Sequence, residues 1–202
     1  MAEAPFPLAR RARIAVFASG RGSNLASLLA AFPPDESEPL ATVRLVISDR
    51  PDAVALERAG AVGVAAEHVP FGRDRAGFEA RTDELLREHG IDLVCLAGFM
   101  RVLSPSFTER WEGRLLNVHP SLLPAFRGLH AQRQALAAGV HESGCTVHFV
   151  DAGVDTGHVI VQRRVQVLSG DDEASLAARI LDQEHLAYPE AVRLVLRGEV
   201  RP

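Results

Sequence analysis

Through the first half of the chain, short apolar runs almost free of polar residues alternate with segments of helical period, and few folds accommodate that rhythm. "RIAVFAS" (13–19), "ATVRLVIS" (41–48), "VGVAA" (62–66) and "DLVCLAG" (92–98) read as strands. "NLASLLAAF", "DAVALERAG" and "DRAGFEARTDELLREHG" between them read as helices. A strand apolar on both sides must be covered on both faces, and strands joined through helices run parallel. The reading is an α/β fold that begins as a doubly wound, mainly parallel sheet. At 202 residues, one domain accounts for the chain.

After Gly98 the rhythm changes. "SPSFTERW" and "HAQRQALAAG" read as short helices, with the strand "RLLNVHP" between them. "GCTVHFV" and "GHVIVQRRVQVL" are separated only by the turn-rich "DAGVDTG", too short for a crossover, so this pair is expected to be antiparallel. Residues 171–198 read as one long helix, with a bend expected at Pro189. Residues 1–12 are expected to form a flexible extension before a single domain over 13–202.

Composition removes several chemistries. All 22 basic residues are arginine, so a lysine Schiff base, a pyridoxal phosphate anchor and a P-loop lysine are excluded. A net charge of −4 provides no general attraction for nucleic acid or an anionic membrane. Cys95 and Cys145 lie far apart in apolar runs and read as buried free thiols. The eight histidines show no metal-ligand spacing, so no metal is expected. The apolar run behind the twin arginine Arg10-Arg11 is too short for a signal core, and no segment approaches a membrane span, which points to the cytoplasm.

The residues that could carry chemistry stand at element ends. "SGRGSN" (19–24) lies between the first strand and first helix, where glycines let backbone amides approach an anion and the helix dipole favours it. It lacks the third glycine of a dinucleotide fingerprint, so a monophosphate fits better; Ser23 or Asn24 acting only as a helix cap is the plain alternative. In "LLNVHP", side-chain alternation places Asn117 and His119 on one face, and Pro120 ends the strand. An amide donor beside a protonatable imidazole suits a developing oxyanion. Asp151 and Asp155 fall in a turn where aspartate is ordinary. Leu176, Ile180 and Glu184 share one helical stripe, so Glu184 either snorkels at its edge or meets a sugar in the cleft.

Taken together, "SGRGSN", "LAGFMRVLSP", "LLNVHPSLLPAFRGLH", "GCTVHFV", "VDTG" and "QEHLAYP" resemble the phosphoribosylglycinamide formyltransferases, folate-dependent enzymes of purine synthesis. The similarity runs in order from Arg13 to Gly198. It implies a formyltransferase fold: a Rossmann-like N-terminal half (13–98) binding the ribonucleotide, and a folate-binding and catalytic half (99–202) with a C-terminal antiparallel pair and a long helix. It implies catalytic roles for Asn117, His119 and Asp155. Gly22, Ser23 and Asn24 would hold the phosphate, and Glu184 the ribose. Met100, Arg101, Val102 and Leu103, with Asn117, would line the folate pocket, and Arg75 would meet the folate tail, with Arg73 as a competing cation. The co-substrate implied is 10-formyltetrahydrofolate. Partners are small molecules, with a homodimer as a candidate assembly. His158 stands where the family often has proline. Formyltetrahydrofolate hydrolase, which shares the catalytic trio, and a non-catalytic nucleotide-binding module are the competing readings.

Overall fold

A computed structural model describes residues 6–35 and 37–202 of the chain. Its frame is one seven-stranded sheet in the order β3-β2-β1-β4-β5-β6-β7. Strands β1 (Ala12–Phe17), β2 (Ala41–Ser48), β3 (Ala65–His68), β4 (Leu93–Leu96) and β5 (Leu115–His119) are parallel. Strands β6 (Glu142–Phe149) and β7 (Val159–Gln166) then add antiparallel, as their short connection requires. Helices α1 (Ser23–Ala31), α2 (Val54–Ala61), α3 (Arg75–Glu88), α4 (Pro105–Arg110), α5 (Ala131–Ala137) and α6 (Glu173–Leu196) complete the chain. Among the described residues, no helix is long and apolar enough to cross a membrane.

Alternation along each strand divides the core in two. Ile14 and Val16 of β1 and Leu116 and Val118 of β5 enter one cluster with α1 and α6. Ala15, Phe17 and Leu115 enter the other with α3 and α4. The central strands β1, β2, β4 and β5 therefore have almost no solvent face, which explains their nearly unbroken apolar runs. Both cysteines are free and buried, and burial pushes each thiol up to about 12, so neither offers a ready nucleophile.

Two local expectations need correction. The third strand is Ala65–His68, not residues 62–66, because Val62 caps α2 and Gly63 turns at φ 75 before pairing with β2 begins at Ala65. Of the expected flexible extension, residues 1–5 lie outside the described residues, and from Phe6 onward the chain is held down. Phe6 is buried in the core, the Arg10 guanidinium takes both oxygens of Asp92, and Arg11 donates to the Glu38 carbonyl. Helix α6 continues through Pro189, which is buried within it.

The sheet order reverses between β1 and β4, whose connections leave toward opposite sides. A crevice opens at the carboxyl ends of strands at such a point. The loop after β1 and the segment after β4 thus meet across it.

Candidate active site

The loop after β1 turns at Gly22, which caps α1 in a left-handed conformation (φ 68) without a side-chain cap. Ser23 and Asn24 are the first two helical residues and neither caps the helix, so the amides of its first turn face outward with the positive end of the dipole. The need for glycine has a packing cause that the sequence hid: a Cβ at Gly22 would lie 3.0 Å from both Cα and Cβ of Ala55.

Asn24 turns its side chain inward. Its Nδ2 donates to Glu184 Oε2 at 2.6 Å, and its Oδ1 is buried without a hydrogen-bond partner. Glu184 continues the stripe of Leu176 and Ile180, which are fully buried, and is itself buried. Burial pushes the Glu184 carboxyl above its ordinary range, and the bond from Asn24 offsets this only in part. One turn on, the Tyr188 hydroxyl shares its proton between the carbonyls of Leu96 and Leu116 (3.0 and 3.1 Å), fixing α6 across β4 and β5. The two halves of the chain share the cleft, since a residue of the last helix reaches the first.

On the opposite face of β5, Asn117 and His119 point together toward the loop carrying Asp155. His119 is buried, with Nε2 2.9 Å from the Phe126 carbonyl and Nδ1 3.3 Å from Asp155 Oδ2. Both ring nitrogens face acceptors, so the ring is held from both edges. Asp155 also accepts from the Gly128 amide at 2.8 Å, and Asn117 Nδ2 lies 3.5 Å from its Oδ1. Burial pushes the Asp155 carboxyl up, but the bonds from His148 and Gly128 and the charges of His119 and His148 outweigh it and hold it below its usual range.

Sequence reasoning missed His148. It lies directly opposite Asn117 in the β5–β6 ladder, is buried, and brings Nε2 within 3.2 Å of Asn117 Nδ2 and 3.6 Å of Asp155 Oδ1. Its Nδ1 lies 2.7 Å from the Phe149 carbonyl. The signal was present in "CTVHF", where Thr146 and His148 alternate with apolar residues and so share a face. What was absent was the β5–β6 register. Among the described residues, no group of acidic, histidine or cysteine side chains is arranged to hold a metal ion.

Among the described residues, three non-glycine residues have positive φ: Phe126 (56°), His130 (61°) and Asp155 (52°). Two of them supply the groups that hold His119. Each left-handed residue costs roughly 1–3 kcal/mol, and such strain gathers at functional sites. Gly157 lets the Asp155 loop lie against β6, since a Cβ there would come within 1.8 Å of the Phe149 carbonyl.

The segment after β4 presents Met100 and Val102 to solvent at 63% and 64% exposure. Between them Arg101 pairs with Asp49 at 2.6 Å. Leu103 is buried in the core, so only its backbone can meet a ligand. Arg75 opens α3, with Arg73 two residues before it, and both are exposed. The structure thus brings Asn24, just after Gly22 and Ser23, against Glu184, and Asn117, His119 and His148 around Asp155.

Against known proteins, the formyl transferase family matches residues 12–192. The chain is 50% identical over 192 residues to the trifunctional purine biosynthetic protein adenosine-3 of Drosophila melanogaster, covering 94% of the chain and 14% of that protein. It is 44% identical over 191 residues to the phosphoribosylglycinamide formyltransferase of Escherichia coli, covering 93% of the chain and 89% of that protein. Glycinamide ribonucleotide transformylase 1 of Symbiobacterium toebii has the same architecture, with a TM-score of 0.89 at 49% identity over 95% of this chain and 90% of that one. The chain spans 14% to 19% of the length of the trifunctional relatives it matches.

Proposed function

The chain belongs to the formyl transferase family, and we propose that it moves the formyl group of 10-formyltetrahydrofolate onto the amine of 5'-phosphoribosylglycinamide, as a cytoplasmic enzyme of purine synthesis. The observation that carries this reading is Asp155 within 3.5 Å of both Asn117 and His119, in a chain that also has an uncapped helix start after β1. A nucleotide-binding module would use only the latter.

In the reaction, the substrate amine forms a bond to the formyl carbon, and the carbonyl electrons move onto oxygen. Asn117 donates to that oxygen, and His119 stabilises it through the ring N–H that the oxygen takes over from the Phe126 carbonyl or from Asp155. The longest contact among the trio, Asn117 Nδ2 to Asp155 Oδ1 at 3.5 Å, is the one that the reacting oxygen displaces most readily. Asp155 supports the imidazolium by charge. As the carbon–N10 bond breaks, the proton lost by the amine passes through water to N10, so atoms and charge balance. The phosphate rests on the amides after Gly22, and Asn24 and Glu184 meet the sugar end of the same substrate. Met100 to Leu103 line the folate site, and Arg75 meets its tail.

The test follows 10-formyltetrahydrofolate by absorbance with and without the ribonucleotide. Consumption that requires the acceptor is expected. Consumption without it would identify a hydrolase, and no consumption under either condition would leave only a binding module. A variant pair then tests the phosphate end. Gly22→Ala forces a methyl against Ala55 at a left-handed φ, a strain of roughly 1–2 kcal/mol, and is expected to raise KM for the ribonucleotide and lower Tm. Gly20→Ala meets open space and should change neither.

A further inference from the structure

Met100 and Val102 are strongly exposed, yet the segment that carries them is pinned from four directions. Behind its start, Phe99 packs edge-on against Phe17 (5.5 Å between centroids) and stacks on Phe78 of α3 (5.7 Å). The Met100 amide donates to Ser19 Oγ at 3.0 Å, and Ser19 itself stands at the head of the phosphate loop. Arg101 reaches Asp49 and lies over the Phe71 ring at 5.3 Å. The far end is held by Glu79, one residue beyond Phe78, whose carboxylate accepts from the Ser104 amide at 2.6 Å and from the Ser104 hydroxyl at 2.5 Å.

Glu79 is buried, and burying a carboxylate is costly unless donors meet it. Here one residue supplies both donors, so the two bonds fix the position of Ser104 along the sequence and its rotation. Ser104 also caps α4, accepting from the Phe107 amide, so the hydroxyl proton directed at Glu79 leaves its lone pairs for that helix. Phe78 and Glu79 thus hold the two ends of residues 99–104 from a single helix, the one that opens with Arg75.

We propose that Glu79 is a positioning residue for the folate co-substrate: it touches neither substrate and sets the backbone of residues 100–103 against which folate is aligned. This rests on the function proposed above. Misplacing a binding wall by about an ångström can cost up to roughly a hundredfold, so Glu79→Ala is expected to raise KM for 10-formyltetrahydrofolate roughly ten- to a hundredfold, with KM for the ribonucleotide unchanged. Glu79→Gln should restore near wild-type values. Its carbonyl accepts from the Ser104 amide while its NH2 donates to the Ser104 hydroxyl, whose proton turns to Ser106 Oγ at 3.0 Å.

Hydrogen exchange read by mass spectrometry over residues 99–104 supplies a second readout, expected to quicken in Glu79→Ala and not in Glu79→Gln. If the alanine variant does not fold, Glu79→Asp carries the test: it keeps the charge but falls one methylene short and should show the same selective rise. Faster exchange with an unchanged folate KM would overturn the proposal, as would equal rises in both KM values. Wild-type protein lacking acceptor-dependent formyl transfer would overturn the function itself, and this inference with it, before any variant is made.

Discussion

Replacing His119 with alanine is expected to lower turnover by roughly two to three orders of magnitude while the protein still folds, the usual loss for a removed acid or oxyanion donor. The ring is buried and held at both nitrogens, by the Phe126 carbonyl and by Asp155, so its position is fixed before substrate arrives. Fixed charge needs no reorganisation as the intermediate forms, which is why the loss should fall on kcat. Asn117→Ala should lose a similar amount through the amide donor. Steady-state kinetics on variants with wild-type circular dichroism decide the matter; near-normal kcat in both would remove the pair from the mechanism.

The second large effect is expected from Asp155→Asn, which leaves the shape of the side chain and removes its charge. The amide oxygen can still accept from Gly128, but the imidazolium loses its counter-charge, and turnover should fall by roughly two orders of magnitude. The pH dependence gives an independent check. Because the carboxyl is held below its usual range, its contribution to stability is complete above the unfolded value of about 3.9 and is lost as pH falls through the lower folded value. Wild type should therefore lose more stability on that acid limb than Asp155→Asn does. Thermal unfolding of both proteins between pH 5 and pH 2 measures the difference. Parallel curves would reduce Asp155 to a turn residue.

Much of this was legible in the sequence because the governing signals are local. Alternation placed Asn117 and His119 on one face, Pro120 ended their strand, and the four-residue stripe put Glu184 in line with Leu176 and Ile180. What the sequence concealed depends on neighbours across the sheet. His148 joins the site because β6 pairs antiparallel with β5 in one particular register, and strand patterns do not state which strands are neighbours. Glu79 reads as an ordinary helix-surface charge until α3 and the segment after β4 are brought together. The packing need for glycine at position 22 is equally hidden, because Ala55, the residue that imposes it, lies on another helix.

The bond from Asn24 to Glu184 joins residues 160 positions apart, one in the first helix and one in the last. During translation, at roughly 5–20 residues per second, the loop after β1 and its helix wait on the order of ten seconds or more for the carboxylate that meets Asn24. The helix bringing Glu184 also covers one face of the sheet through Leu176, Ile180, Tyr188 and Val192, and locks β4 to β5. A nascent chain lacking that helix would have neither the cover of that face nor the carboxylate that meets Asn24. Docking of one helix therefore completes both: a chain in which it has not yet docked leaves Asn24 without its carboxylate and exposes apolar surface in the same event, and that surface is what chaperones and proteases recognise.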